Sequence, residues 1–260
     1  MPLTPTHVPP RPPRPSLRHA PRPSERMPCQ MRARLPRALS RDRSALYRWS
    51  VPTHDTETER IRRIYDRRSA TSPSERGDAN LRWLCGQAEG ETLEIGIGRG
   101  RTLPFYPRDV HLTGIELSEV ALRVAQRRVQ DLGLDATLHQ GDATALPYPD
   151  DHFDTVIFSF VLCTIPDDRR AVAEAVRVLR PAGRLLLVEH VRSPNPIVRA
   201  IERLVEPITV RWQADHLLRE PLDHVLAEGL ELETLQRSWF GIVERLSARK
   251  PEADELEQTG

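Results

Sequence analysis

The chain has 260 residues, 38% of them hydrophobic, and a formal net charge of +1, which suffices for one core of ordinary size plus a tail. The charge is uneven: residues 1–50 carry eleven arginines against two acids, Glu25 and Asp42, and the remainder is mildly acidic, which leaves no electrostatic case for nucleic-acid binding. Cys29, Cys85 and Cys163 lie far apart with no Cys/His metal spacing, and no apolar run reaches the length of a membrane span, so a metal site and a spanning segment are both excluded and a reduced, cytoplasmic compartment fits.

Residues 1–55 read as a disordered Pro/Arg-rich tail, with eleven prolines before residue 51. A solvated extension is preferred to a tail for an anionic partner or to a transit peptide, whose amphipathic helix so much proline opposes. One domain is expected over 56–250, followed by a disordered tail over 251–260. ETERIRRIYDRR places Ile61, Ile64 and Tyr65 at helical spacing, and NLRWLCGQ gives a second helix with Leu81, Leu84 and Cys85 on one face. Strands and helices then alternate. TLEIG and HLTGIEL are strands. SEVALRVAQRRVQDLG is a helix that Ser118 caps and Gly133 ends. ATLHQ is a third strand, and the apolar run DTVIFSFVL a central fourth. Asp167 or Asp168 caps a helix striped by Val172, Ala175, Val176 and Leu179 and stopped by Pro181, and RLLLVEHV is the fifth strand. LELETLQRSW and GIVERLSARK, separated by a short turn, form an antiparallel hairpin at one edge. The expected fold is α/β: a Rossmann-like, doubly wound, mostly parallel seven-stranded sheet with an antiparallel C-terminal edge hairpin.

Ligands of such sheets sit beyond the carboxyl ends of the strands. The first strand ends in LEIGIGRGRT, whose Gly96, Gly98 and Gly100 therefore line that crevice. A dinucleotide fingerprint needs G-x-G-x-x-G; here the spacing is G-x-G-x-G and the next position is Arg101. The ribose acid is present as Glu116, after the second strand. A nucleoside without a pyrophosphate cradle fits, and S-adenosylmethionine meets both conditions, its amino-acid end against the free amides of the glycine loop. Glu94 is placed to bind or orient the ligand ammonium, and Asp142, in GDATALPYPDDHFD, to accept from the adenine amine.

These motifs, with FYP at 105–107, FVLCTIPD at 160–167, RVLRPAGRLLLVEHV at 177–191 and LVEPITVRWQADHLLRE at 204–220, carry a resemblance. Residues from about 57 to 250 resemble class I S-adenosylmethionine-dependent methyltransferases, in the group that includes ubiquinone/menaquinone C-methyltransferases and bacterial phospholipid N-methyltransferases, and more closely the branch containing the microsomal thiol S-methyltransferases. The resemblance implies that Glu94, Gly96, Gly98 and Gly100 form the first motif, Glu116 with Leu117 the ribose site, and Asp142 with Ala143 the adenine contact. It implies further that Ser159 and Phe160 close the far side and that Tyr65 lies over the methionine end. Arg99, Arg101 and Ala182 depart from the family pattern, and the Pro/Arg tail replaces the apolar N-terminal anchor of the thiol enzymes.

Methyl transfer from a sulfonium asks the protein mainly to align acceptor, methyl and sulfur, so no base is obligatory. The catalytic candidates are His190, Asp215 and His216, each with a structural alternative: His190 fixing a loop, Asp215 and His216 capping a helix. Cys163 reads as a packed hydrophobe. PIVRAIERLVEPITVRW reads as a two- to three-turn amphipathic helix, a lid over an apolar acceptor in preference to a helix lying on a membrane. The expected activity is methyl transfer to a small apolar acceptor, a thiol first, with a lipid-headgroup amine or a quinone-like carbon as same-fold alternatives and no obligate protein partner. The quinone option lacks the Asn-Pro and His-Arg signature of those enzymes. A nicotinamide-dependent oxidoreductase and a non-catalytic subunit of this fold rank lower.

Overall fold

The computed structural model describes residues 56–69 and 79–252; the expected tails, apart from 251–252, lie outside the described residues. Two helices come first, α1 (Thr56–Ser69) and α2 (Ala79–Cys85). Then follow β1 (Glu91–Ile95), β2 (His111–Glu116), α3 (Glu119–Leu132), β3 (Ala136–Gln140), β4 (Phe153–Ser159), α4 (Asp168–Val178) and β5 (Leu179–His190). The chain continues through α5 (Pro196–Gln213), α6 (Pro221–Ala227), β6 (Glu231–Ser238) and β7 (Val243–Arg249). The strands form one seven-stranded sheet in the order β3-β2-β1-β4-β5-β7-β6, parallel from β3 to β5. The hairpin is antiparallel, and its second strand, β7, lies between β5 and β6.

Local chemistry fixes the boundaries. The Ser118 hydroxyl accepts from the Ala121 amide at the start of α3, and Gly133 closes that helix in the left-handed region at φ 58°. Asp167 caps α4 by accepting from the Arg170 amide. That helix ends at Val178, three residues before Pro181. Leu179 already pairs with Phe153, and the turn through Ala182 (φ 61°) is a bulge inside β5.

Two apolar layers sandwich the sheet. One joins Leu93, Ile95, Phe158 and Leu185 to Val172, Ala175 and Val176 of α4. The other joins Ile157, Leu186 and Val188 to Leu84 and Cys85 of α2. This anchors the carboxyl ends of β1, β2 and β4 side by side, where the connecting loops leave an opening.

The segment read as a short lid differs most. α5 has 18 residues and runs through Pro207, and its apolar side chains face outward. Ile197, Ile201, Leu204, Ile208 and Trp212 are exposed, while Glu202 is buried. A lid closing an apolar pocket needs the opposite orientation.

Candidate active site

A cavity of about 590 Å³ opens at the carboxyl ends of β1 to β4, a size suited to a nucleoside-scale ligand. Its floor is the glycine loop. After β1 the chain turns through Gly96 and Gly98 at φ 72° and 56°, where L side chains are disfavoured. The Gly96 amide donates to Ile115 O, tying the loop to β2. A Cβ on Gly96 would lie 2.2 Å from Val161 Cγ2, so this glycine permits close packing against the β4–α4 loop. A Cβ on Gly98 would meet only open space, with Gly96 O as its nearest neighbour at 3.9 Å. Gly100 lies beneath the loop and not on the wall: a Cβ there would strike Leu103.

Glu94, Gly96, Gly98, Glu116, Leu117, Asp142, Ala143, Ser159, Phe160 and Tyr65 all line this one cavity. Glu116 is buried at the end of β2, its Oε2 accepting from the Gly98 amide at 2.9 Å and its Oε1 from the Ser118 amide at 2.8 Å. Burial raises its pKa, against the pull of those backbone donors. Asp142 Oδ1 accepts from both the amide and hydroxyl of Thr144 at 2.8 Å, which holds its carboxylate at the cavity edge. Glu94 Oε2 accepts from the Thr102 hydroxyl at 2.8 Å and the Tyr106 hydroxyl at 3.0 Å. Burial pushes the Glu94 carboxyl up from 4.5 to about 7, the two hydroxyls oppose this, and the Glu116 charge adds to it.

The roof comes from α1, of which sequence reasoning placed Tyr65 alone. Thr58, Ile61 and Arg62 also face the cavity. Asp66 accepts from the Ser118 hydroxyl at 2.5 Å and pairs with Arg62 at 2.8 Å, so α1 docks on the N-terminus of α3 beside Glu116. Arg99 and Arg101 line the cavity as well. Arg99 Nε is buried without a hydrogen-bond partner, and burial together with Arg128 and Arg101 lowers that guanidinium's pKa. The sequence marks these arginines only as departures; their direction required the loop geometry.

None of His190, Asp215 and His216 is on the cavity wall. The His190 ring packs 4.8 Å from the ring of Phe160, outside the cavity lining, and partial burial lowers its pKa against the opposing charge of Asp215. The His216 amide donates to Cys163 O, and its ring stands 4.0 Å from Glu206. Cys163 is buried and burial raises its pKa, as a packed hydrophobe requires. The β4–α4 loop is positioned instead by Glu189, whose Oε1 accepts from the Val161 amide at 2.7 Å and the Leu162 amide at 2.9 Å. No sequence motif pointed to Glu189.

Buried carboxylates around a nucleoside-sized cavity, at the end of parallel strands and with a glycine turn as floor, define a nucleoside-dependent α/β enzyme. The comparisons with known proteins name the class. A methyltransferase-domain family model matches residues 93–187. A phosphatidylethanolamine N-methyltransferase of Cereibacter sphaeroides is 31% identical over 172 residues, covering 65% of this chain and 78% of the relative. A ubiquinone/menaquinone biosynthesis C-methyltransferase of Dinoroseobacter shibae is 37% identical over 46% of this chain and 50% of that protein. The solved geranyl diphosphate C-methyltransferase of Streptomyces coelicolor, in complex with S-adenosyl-L-homocysteine, superposes with a TM-score of 0.59 at 14% identity, covering 75% of this chain and 99% of that one, and shows the shared fold.

The chain belongs to the class I S-adenosylmethionine-dependent methyltransferases. It is an enzyme with S-adenosylmethionine as methyl donor. The site suits that molecule on three observations: the open space over Gly98, the buried acids Glu94 and Glu116, and the unpartnered guanidinium Nε of Arg99. Among the described residues, no helix is long and apolar enough to cross a membrane.

Proposed function

We propose that the enzyme methylates a small apolar acceptor, with a thiol as the first candidate. The observation that carries this reading is the wall contributed by the β4–α4 loop. Phe160, Val161, Thr164, Ile165 and Pro166 line it, and the Thr164 hydroxyl is committed to Val161 O at 2.7 Å. Such a wall offers an acceptor apolar contact and supplies no general base.

In this reading Glu116 holds the ribose hydroxyls and Asp142 with Ala143 the adenine. Glu94 faces the ammonium, and Arg99 gives its free Nε–H to the carboxylate. S-adenosylmethionine, when bound there, would supply an activated sulfonium methyl for an in-line displacement by the acceptor's lone pair, with S-adenosylhomocysteine as the leaving group. Phe160 and the roof helix α1 exclude water and hold the acceptor in line. A thiol suits a wall without a base, because with a pKa near 8.5 it is partly thiolate at neutral pH. His190, behind Phe160, acts in this scheme by fixing that ring.

A headgroup amine is the second reading, supported by the likeness to the phosphatidylethanolamine N-methyltransferase. A neutral amine also needs no strong base. Incubation with labelled methyl donor and a panel of apolar thiols, phosphatidylethanolamine and quinols, read by mass spectrometry, tests both. A methyl thioether is the expected product. Methylated phosphatidylethanolamine without thioether would select the second reading, and a C-methylated quinol alone would refute both.

A further inference from the structure

The helix α5 is built inside out. Its polar side faces the protein: both Glu202 carboxylate oxygens accept from the Ser193 amide at 3.1 and 3.3 Å, and the Thr209 hydroxyl donates to Asp215 O at 2.9 Å. Its apolar side faces solvent. Ile197, Ile201, Leu204, Ile208 and Trp212 recur every three or four residues on one stripe, with Val205 at its edge.

The tip of the β6–β7 hairpin continues this surface. Ser193, just ahead of α5, donates its hydroxyl to Phe240 O at 2.7 Å, and Gly241 packs on Pro194. Trp239 and Phe240 occupy the two central positions of the turn, at φ 53° and 56° with the Gly241 amide closing on Ser238 O. Asn-Gly favours such a turn, and bulky aromatics are rare there. Exposure across the eight side chains runs from 36% at Val205 to 80% at Phe240. Together they present roughly 1,000 Å² of apolar surface, well above the few hundred usual for one patch on a soluble monomer.

We infer that α5 and the Trp239–Phe240 tip dock this enzyme on the surface of an anionic lipid bilayer. Charge points to this occupant. On the helical spacing of α5, Arg211 is exposed at the border of the apolar stripe, Arg203 is exposed further round the helix, and Arg199 is half-buried on the polar side. The neighbouring acids are turned inward or paired: Glu202 is buried, Glu206 lies on the polar side of α5 with its carboxylate 4.0 Å from the His216 ring, and Glu220 holds Arg192 and Arg237. An exposed arginine bordering an outward apolar face, a second further round the helix, and a Trp at each end of the surface suit the headgroup boundary. Shape points the same way. A bilayer accepts a convex helix and a protruding tip without a matching groove, which a second copy would have to supply. The Arg60 guanidinium of α1, the roof of the cavity, donates to Val210 O and Arg211 O of α5, so the docked surface adjoins the active site.

Flotation of the full chain with vesicles of phosphatidylcholine, with and without phosphatidylglycerol, tests this independently of any acceptor. The expected result is binding to the anionic vesicles, weakened by salt. It should fall about tenfold or more in Ile201→Glu/Ile208→Glu and in Trp239→Asn/Phe240→Gly. Both variants should keep the wild-type affinity for S-adenosylhomocysteine, which shows that they are folded. Absence of the full chain from every vesicle fraction, or undiminished binding by both variants, would overturn the inference. So would a concentration-dependent dimer that Ile201→Glu/Ile208→Glu dissolves, because the face would then belong to a second copy.

Discussion

Gly96 and Gly98 separate folding from binding within three residues. A Cβ on Gly96 meets Val161 at 2.2 Å, whereas one on Gly98 projects into open space. Gly96→Ala should therefore lower stability by about 2–3 kcal/mol, read by denaturant unfolding. Gly98→Ala should cost only ~1 kcal/mol of left-handed strain while weakening S-adenosylhomocysteine binding, and Gly98→Val should abolish it. Glu94 gives a pH signature. Its carboxyl is raised to about 7 in the folded protein from an ordinary 4.5, so the folded state keeps a proton that the unfolded chain has released. The stability this contributes is complete below about 4.5 and is lost as pH rises to about 7. Glu94→Gln, which can still accept from Thr102 and Tyr106, should flatten the stability profile across that window and gain on the order of 1–3 kcal/mol above it. Unchanged slopes in the variant would show that Glu94 is already ionised when folded. Gly96, Gly98, Glu94, Glu116 and Asp142 were legible as cavity-lining residues because each stands at or near a strand end, where the chain must turn or meet a ligand; Gly100 shares their spacing but packs on Leu103. Arg99 and Glu189 were not, because which polar atoms a loop buries depends on neighbours distant in sequence.

At the level of elements, caps and stripes carried the reading. Ser118, Gly133 and Asp167 act where they were expected, since capping is settled within four residues. The end of α4 was set by pairing instead: Leu179 joins β5 opposite Phe153 before Pro181 is reached. The α5 stripe was visible, but its direction was not, because an amphipathic pattern does not say which face the fold covers. The exposed Pro207 did not stop the helix, whose last turn closes on Ala214 at φ 60°. The hairpin tip sets folding against exposure. Trp239→Asn/Phe240→Gly should raise stability by ~1 kcal/mol, a few degrees in Tm, while losing vesicle binding. A fall in Tm would mean that the aromatics pack where they appear exposed. The roof can be tested through Asp66, which holds both Ser118 and Arg62. Asp66→Ala should loosen α1, measured as faster proteolysis there and weaker cofactor binding, with little change in global unfolding.

The whole molecule divides into a basic, proline-rich leader and an acidic domain. Deleting residues 1–50 should leave cofactor affinity and Tm nearly unchanged; a large loss of stability would show that the leader packs on the domain. The mostly parallel sheet was legible from alternating strand and helix signals, and the terminal hairpin from its short turn. The insertion of β7 between β5 and β6 was not, because strand order depends on pairing between segments some sixty residues apart, such as Leu187 with Leu246. That order places the aromatic tip beside α5, and the parallel half of the sheet places the two buried acids around one cavity. The central claim is that this cavity binds the methyl donor through the glycine turn. Isothermal titration of the full chain and of Gly98→Val with S-adenosylhomocysteine, with NAD as control, tests it most directly. The account predicts saturable one-to-one binding of S-adenosylhomocysteine to the wild type, none to Gly98→Val, and none of NAD to either. No binding by a wild-type protein shown to be folded, or equal affinity in the variant, would contradict it.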